Sequence, residues 1–133
     1  MKPHESTNDA PMVRVLLVDD DEDDYRLTLA MLEEIPGVRF HLDWQPDYDA
    51  ALHAISNCQH DVYLFDYRLG SRTGLDLLAE MKARKCTGPA ILLTGQGEHE
   101  VDRAAELAGA ADYLEKSRLD PVVLERVVRY AMR

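Results

Sequence analysis

Five positions, far apart along the 133-residue chain, carry side chains that could share one reaction: the carboxylates of Asp19, Asp20 and Asp66, the hydroxyl of Thr94 and the ammonium of Lys116. Each stands at the end of a short strand-like run: VLLV before Asp19, VYLF before Asp66, AILL before Thr94 and DYLE before Lys116. Three clustered carboxylates repel one another, and a hard divalent cation is the usual remedy, since Mg²⁺ takes oxygen ligands and keeps several waters. With Mg²⁺ on one side, Lys116 opposite and the Thr94 hydroxyl nearby, a phosphoryl group passing to a carboxylate would be neutralised. Asp66 is the natural acceptor, because charge neutralisation and alignment offset the weak nucleophilicity of its carboxylate.

The six consecutive acids 19–24 divide into two roles. Asp19 and Asp20 lie at a strand end and can face a metal. Positions 21–24 open a helix, where the helix dipole and the unpaired first-turn amides favour negative charge. An EF-hand does not fit: counting from Asp19, the sixth position is Asp24 rather than glycine and the twelfth is Ala30 rather than glutamate. Taken singly, Asp19 and Asp20 read as well as a solvated helix start, Asp66 as a turn cap, Thr94 as a strand residue and Lys116 as a surface lysine. Their coincidence at strand ends points to chemistry.

The elements that must position them follow from hydrophobic pattern. Near-continuous β-branched and aliphatic residues at 13–18 predict a strand buried on both faces. Helical spacing over 23–35 (Tyr25, Leu29 and Leu32, with Leu27 and Met31) stops at Pro36-Gly37. The alternation recurs: an edge strand of mixed polarity at 38–44, a helix over 47–57 with Ala51, Leu52 and Ile55 inward, and a central strand at 61–65. A loop over 66–73 then leads to a helix through about 84 carrying Leu75, Leu78, Ala79 and Lys82, a strand at 90–94 and a helix over 98–107. A last strand at 112–116 precedes a helix that starts at Asp120-Pro121, with proline in its first turn. Five strands alternating with five helices give a parallel sheet wrapped on both sides by right-handed crossovers, with ligand chemistry at the strand C-terminal ends.

Composition bounds the rest. One domain over 12–133 follows an aperiodic, polar, flexible tail at 1–11. The formal net charge of -10 argues against a nucleic-acid surface, because phosphates would be repelled. No apolar run is long enough to cross a bilayer and the N-terminus lacks a signal-peptide core, which points to a cytoplasmic protein without a membrane partner. Cys58 and Cys86 lack metal-ligand spacing and read as reduced structural thiols, and the five histidines read as surface residues.

VLLVDDDEDD, VYLFDYRLGSRTGLDLL, AILLTGQG and GAADYLEKS, in this order and at these intervals, resemble bacterial response-regulator receiver domains over about 13–133. The resemblance implies a flavodoxin-like (βα)5 fold, doubly wound around a five-stranded parallel sheet of order 2-1-3-4-5. It implies that Asp66 accepts phosphoryl from a phosphohistidine of a sensor histidine kinase or a histidine phosphotransfer protein. Asp20 and Asp66 would ligate Mg²⁺ directly, Asp19 largely through water, and the backbone carbonyl of Arg68 would complete the protein ligands, while Lys116 and Thr94 contact phosphoryl oxygens. Tyr113, three residues before the lysine, would couple to Thr94 as a rotamer switch, although a half-buried strand aromatic reads as well. The switch would change the face made by the fourth helix, fifth strand and fifth helix, the expected site of a homodimer or a fused output domain. Arg68 and Gln96 occupy the positions that tune acyl-phosphate lifetime. Departures are Ser117 in place of a common cis proline, Gly95 in place of alanine and Gly70 in place of proline.

Two rivals belong to other classes. A haloacid-dehalogenase-like phosphohydrolase combines the same residue types but expects an acid two residues after the nucleophile, where this chain has Arg68. A receiver-like interaction module would keep the fold without being phosphorylated.

Overall fold

The computed structural model describes residues 11–95 and 108–133. Five strands, β1 (Met12–Val18), β2 (Arg39–Gln45), β3 (Val62–Asp66), β4 (Ala90–Thr94) and β5 (Asp112–Glu115), form one parallel sheet in the order β2-β1-β3-β4-β5. The helices among the described residues are α1 (Glu22–Glu33), α2 (Tyr48–Asn57), α3 (Gly74–Ala83) and α4 (Pro121–Ala131). The helix expected over 98–107, the tuning residue Gln96 and most of the expected tail lie outside the described residues. Among the described residues no helix is long and apolar enough to cross a membrane.

The strand residues alternate between two cores, as a sheet covered on both faces requires. Leu16, Val18, Tyr63, Phe65 and Leu92 pack with Ala51, Ile55, Leu77 and Met81 of α2 and α3. Val15, Leu17, Leu64, Ile91 and Leu93 pack with Leu32 of α1 and with Leu124, Val127 and Val128 of α4. Helix starts follow side-chain capping: Asp21, Asp47, Thr73 and Asp120 each accept from an amide of the first turn. A two-stranded antiparallel ribbon, Arg68–Leu69 with Arg72–Thr73, occupies what the pattern predicts as loop, its turn carried by Gly70 at φ +66°.

The structure corrects three expectations. Cys58 and Cys86 are joined in a disulfide with Cα atoms 5.4 Å apart, rather than standing as reduced thiols, because the end of α2 and the segment before β4 meet on one side of the sheet. The buried stripe of α3 is Gly74, Leu77, Leu78 and Met81, so Ala79 and Lys82 face outward. His60 is not a surface residue: its buried side chain donates from Nε2 to Asp43 Oδ2 at 2.7 Å.

Candidate functional site

β1 and β3 are hydrogen-bonded neighbours, with Val18 opposite Phe65, so Asp19 and Asp20 emerge beside Asp66 at the sheet's C-terminal edge. One carboxylate oxygen from each of these three residues lies within 4.8 Å of the others. Lys116, immediately past β5, reaches back across β4 to place Nζ 3.1 Å from Asp19 Oδ2 and 3.2 Å from Asp66 Oδ2. Residues nearly a hundred positions apart therefore share one site.

Local structure holds each group. The Asp21 amide donates to Asp19 Oδ1 at 2.9 Å, and the Trp44 indole, stacked on Tyr25, donates to the Asp19 carbonyl at 2.7 Å. The Arg68 amide donates to Asp66 Oδ1 at 3.4 Å, turning the chain after the acceptor. Gly74 lets α3 start against that turn: its amide donates to the Tyr67 carbonyl at 2.8 Å, and a Cβ there would fall 2.6 Å from the Asp66 carbonyl oxygen.

Burial dominates the electrostatics. Asp19 is fully buried, which pushes its pKa up to about 7; the Asp66 charge adds to the rise, and the Asp21 amide and Lys116 oppose it. Burial likewise raises Asp66 against the pull of Lys116. Burial would depress Lys116, but its hydrogen bond to Asp24 and the charges of Asp66 and Asp19 outweigh that and raise its pKa. Asp19 Oδ2, although buried, has only the ion-pair contact with Lys116 Nζ at 3.1 Å and no well-aligned hydrogen bond. Such an acceptor, in a set made wholly of oxygen donors, fits a hard cation such as Mg²⁺. Asp19, Asp20 and Asp66 are the side chains that could hold it.

Thr94 is buried at the end of β4, and its hydroxyl donates to the Leu114 carbonyl of β5 at 3.3 Å. Tyr113 sits on β5 opposite Leu92, with 40% of its surface exposed. The structure thus gathers Asp19, Asp20, Asp66 and Lys116 directly, puts Arg68 and Thr94 at their margin, and leaves Tyr113 facing solvent. Sequence reasoning missed Asp24, whose Oδ2 lies 2.5 Å from Lys116 Nζ and which had only a helix-dipole role. Its helical spacing with Thr28 and Leu32, both buried, was the available signal.

Comparison with known proteins agrees with the geometry. The family model described as Response regulator receiver domain matches residues 15–128. The transcriptional regulatory protein FixJ of Rhizobium meliloti (strain 1021) is 30% identical over 110 residues, covering 83% of this chain and 53% of FixJ. The two-component response regulator PhoP of Pseudomonas aeruginosa is 33% identical over 101 residues, covering 68% of this chain and 45% of PhoP. The chain therefore spans about half the length of these curated relatives. The crystal structure of the receiver domain of NtrX from Brucella abortus is similar at a TM-score of 0.77 and 28% identity, with 89% of this chain and 97% of that one covered.

Proposed function

This chain belongs to the response-regulator receiver-domain family, and from that premise we propose that Asp66 accepts a phosphoryl group from the phosphohistidine of a sensor histidine kinase or histidine phosphotransfer protein. The observation that carries the reading is the convergence of Asp19, Asp20, Asp66 and Lys116 from three strand ends. The Asp66 carboxylate attacks phosphorus as the bond to the partner's imidazole nitrogen breaks, and the nitrogen keeps the electron pair. Asp20, Asp66 and the Arg68 carbonyl would hold Mg²⁺ directly and Asp19 largely through water, and the cation would supply charge neutralisation for the phosphoryl oxygens.

Lys116 offsets the charge that accumulates on Asp66. The Thr94 hydroxyl exchanges the Leu114 carbonyl for a phosphoryl oxygen, and Tyr113 turns from solvent into the space that this movement opens. The altered face includes β5 and α4, where Val122 and Tyr130 are exposed, and meets a second copy, a separate partner or a fused output domain. Arg68, beside the acceptor, and Gln96 set how fast water removes the phosphoryl group. The only catalysis is self-phosphorylation from small phosphodonors and slow self-dephosphorylation.

Intact mass after incubation with Mg²⁺ and acetyl phosphate tests the assignment. Wild type is expected to gain one phosphoryl group only when Mg²⁺ is present, and Asp66→Asn none. A label that persists in Asp66→Asn overturns the choice of acceptor. No label on wild type, with no beryllofluoride complex, leaves an interaction module.

A further inference from the structure

Lys116 has a third carboxylate partner that the acceptor chemistry does not require. Its Nζ donates to Asp24 Oδ2 at 2.5 Å, a closer approach than those to Asp19 at 3.1 Å and Asp66 at 3.2 Å. Asp24 comes from the first turn of α1, outside the strand ends, where its backbone carbonyl also accepts from Thr28 Oγ1 at 2.8 Å. Both ends of the pair are half-buried, with 26% of each side chain exposed, so solvent screens the contact only in part. Asp19, Asp24, Thr28 and Lys116 line one small cavity beneath α1.

The geometry points to Asp24 as a positioning residue that holds Lys116 toward α1 before phosphorylation and competes with the phosphorylated acceptor for it. The inference rests on the reading of Asp66 as phosphoacceptor. Nζ shares its three donors among Asp24, Asp19 and Asp66, so the pull of Asp24 is set against that of a phosphoryl group at Asp66. Part of the attraction to the incoming anion is therefore spent on breaking the older contact. Asp24 thereby favours the unphosphorylated state.

The test uses beryllofluoride, which stands in for the phosphoryl group on an aspartate, at saturating Mg²⁺. The chain's single tryptophan, Trp44, is bonded to the Asp19 carbonyl and reports binding by fluorescence. Asp24→Asn is expected to tighten beryllofluoride binding by roughly three- to tenfold, toward the lower end of the coupling between groups in direct contact. The same substitution in a Lys116→Gln background is expected to change nothing, because the restraint acts only through the ammonium. Where that background binds too weakly to follow, the rate of acetyl phosphate labelling by intact mass replaces it. Asp24→Ser serves as the second variant, and a thermal melt shows that both fold.

An unchanged affinity in folded Asp24→Asn and Asp24→Ser overturns the inference. So does a gain of equal size with and without Lys116, since a field effect of the lost charge would persist without the lysine. Absence of any wild-type response to beryllofluoride, together with absence of labelling, instead overturns the phosphoacceptor reading beneath it.

Discussion

At the C-terminal edge of the sheet Asp19, Asp24 and Asp66 meet one ammonium, Lys116, with Asp20 beside Asp19 and Asp66, whereas on the edge strand β2 a single carboxylate, Asp43, is met by His41, His60 and Arg14. In the first region burial raises Asp19 and Asp66, and the buried Asp19 Oδ2 has only the ion-pair contact with Lys116. In the second, burial is outweighed by hydrogen bonds from His60 and His41, and Asp43 stays below the ordinary aspartate value. The ratio of donors to acceptors at the folded position separates the two, and no count of acids along the chain would. An excess of acceptors leaves a site in want of a cation. A balanced set makes a tie, here between β2 and the segment that enters β3.

The largest test concerns the region around that tie. The Cys58–Cys86 disulfide closes a segment with a sequence separation of 28, and the Tyr63 hydroxyl stands 3.7 Å from Cys58 Sγ and 3.4 Å from Cys86 Sγ. Chain entropy for a loop of that length puts its contribution at about 3.5 kcal/mol. Reduction, or the Cys58→Ser and Cys86→Ser double variant, is expected to lower stability by that order in a urea melt while leaving beryllofluoride affinity intact. A parallel loss of affinity would show that the acidic end depends on the staple.

Gly74→Ala acts on the acidic end. The new methyl would meet the Asp66 carbonyl at 2.6 Å and a Leu92 methyl at 2.9 Å; the side chain can yield, but the backbone cannot without moving the acceptor. A loss of about 2 kcal/mol is expected, from the cost of overpacking, together with weaker beryllofluoride binding. A stability loss without that weakening would uncouple the α3 start from the site.

Magnesium itself gives the third test. At tenfold excess over its dissociation constant a cation that binds only the folded state adds about 1.4 kcal/mol. Without the cation, Asp19 has a folded pKa raised to about 7, so its contribution to stability is full below 3.8 and is lost as pH rises through about 7. Protons and Mg²⁺ compete for that carboxylate. The Mg²⁺-dependent rise in Tm is expected to grow between pH 6 and pH 8, and a flat response would remove Asp19 from the ligand set.

The strand ends were legible because their signal is local. Val15 to Val18, Val62 to Phe65 and Ala90 to Leu93 are unbroken apolar runs, each followed by a polar side chain, and the recurrence of that arrangement marks the site. Asp21, Asp47 and Asp120 mark their helices by a mechanism that operates within one turn. What was not legible depends on distant partners. Thr28 is buried on the face of α1 where a leucine would be expected, while Leu27 is 58% exposed; Thr28 is tolerated there because its hydroxyl is satisfied by the Asp24 carbonyl. The disulfide depends on α2 and the segment before β4 meeting in space. His60 is buried with its Nε2 paired to Asp43 of β2, a partner 17 positions away. Asp24 was visible as a helix-start acid, but its contact with Lys116 spans 92 positions.

The smallest expected effect belongs to Asp43 and separates the two regions most cleanly. A carboxylate whose folded pKa lies below its ordinary value of 3.8 binds fewer protons in the folded state, so its stabilisation is present above that value and is lost as pH falls through the folded pKa. Since 37% of the side chain is exposed, solvent and salt screen the contribution. Asp43→Asn is expected to lower the urea midpoint slightly at neutral pH, with the difference closing toward pH 3 and shrinking in high salt. The substitution should leave the Mg²⁺ response untouched, because the tie and the acidic site take their donors from different residues. β1 nevertheless carries Leu16 opposite Asp43 and leads directly into Asp19, so it is the path by which the two would communicate. A shift of Mg²⁺ affinity in Asp43→Asn would mean that strain at the tie reaches Asp19 along β1, and the two regions would then be one coupled system.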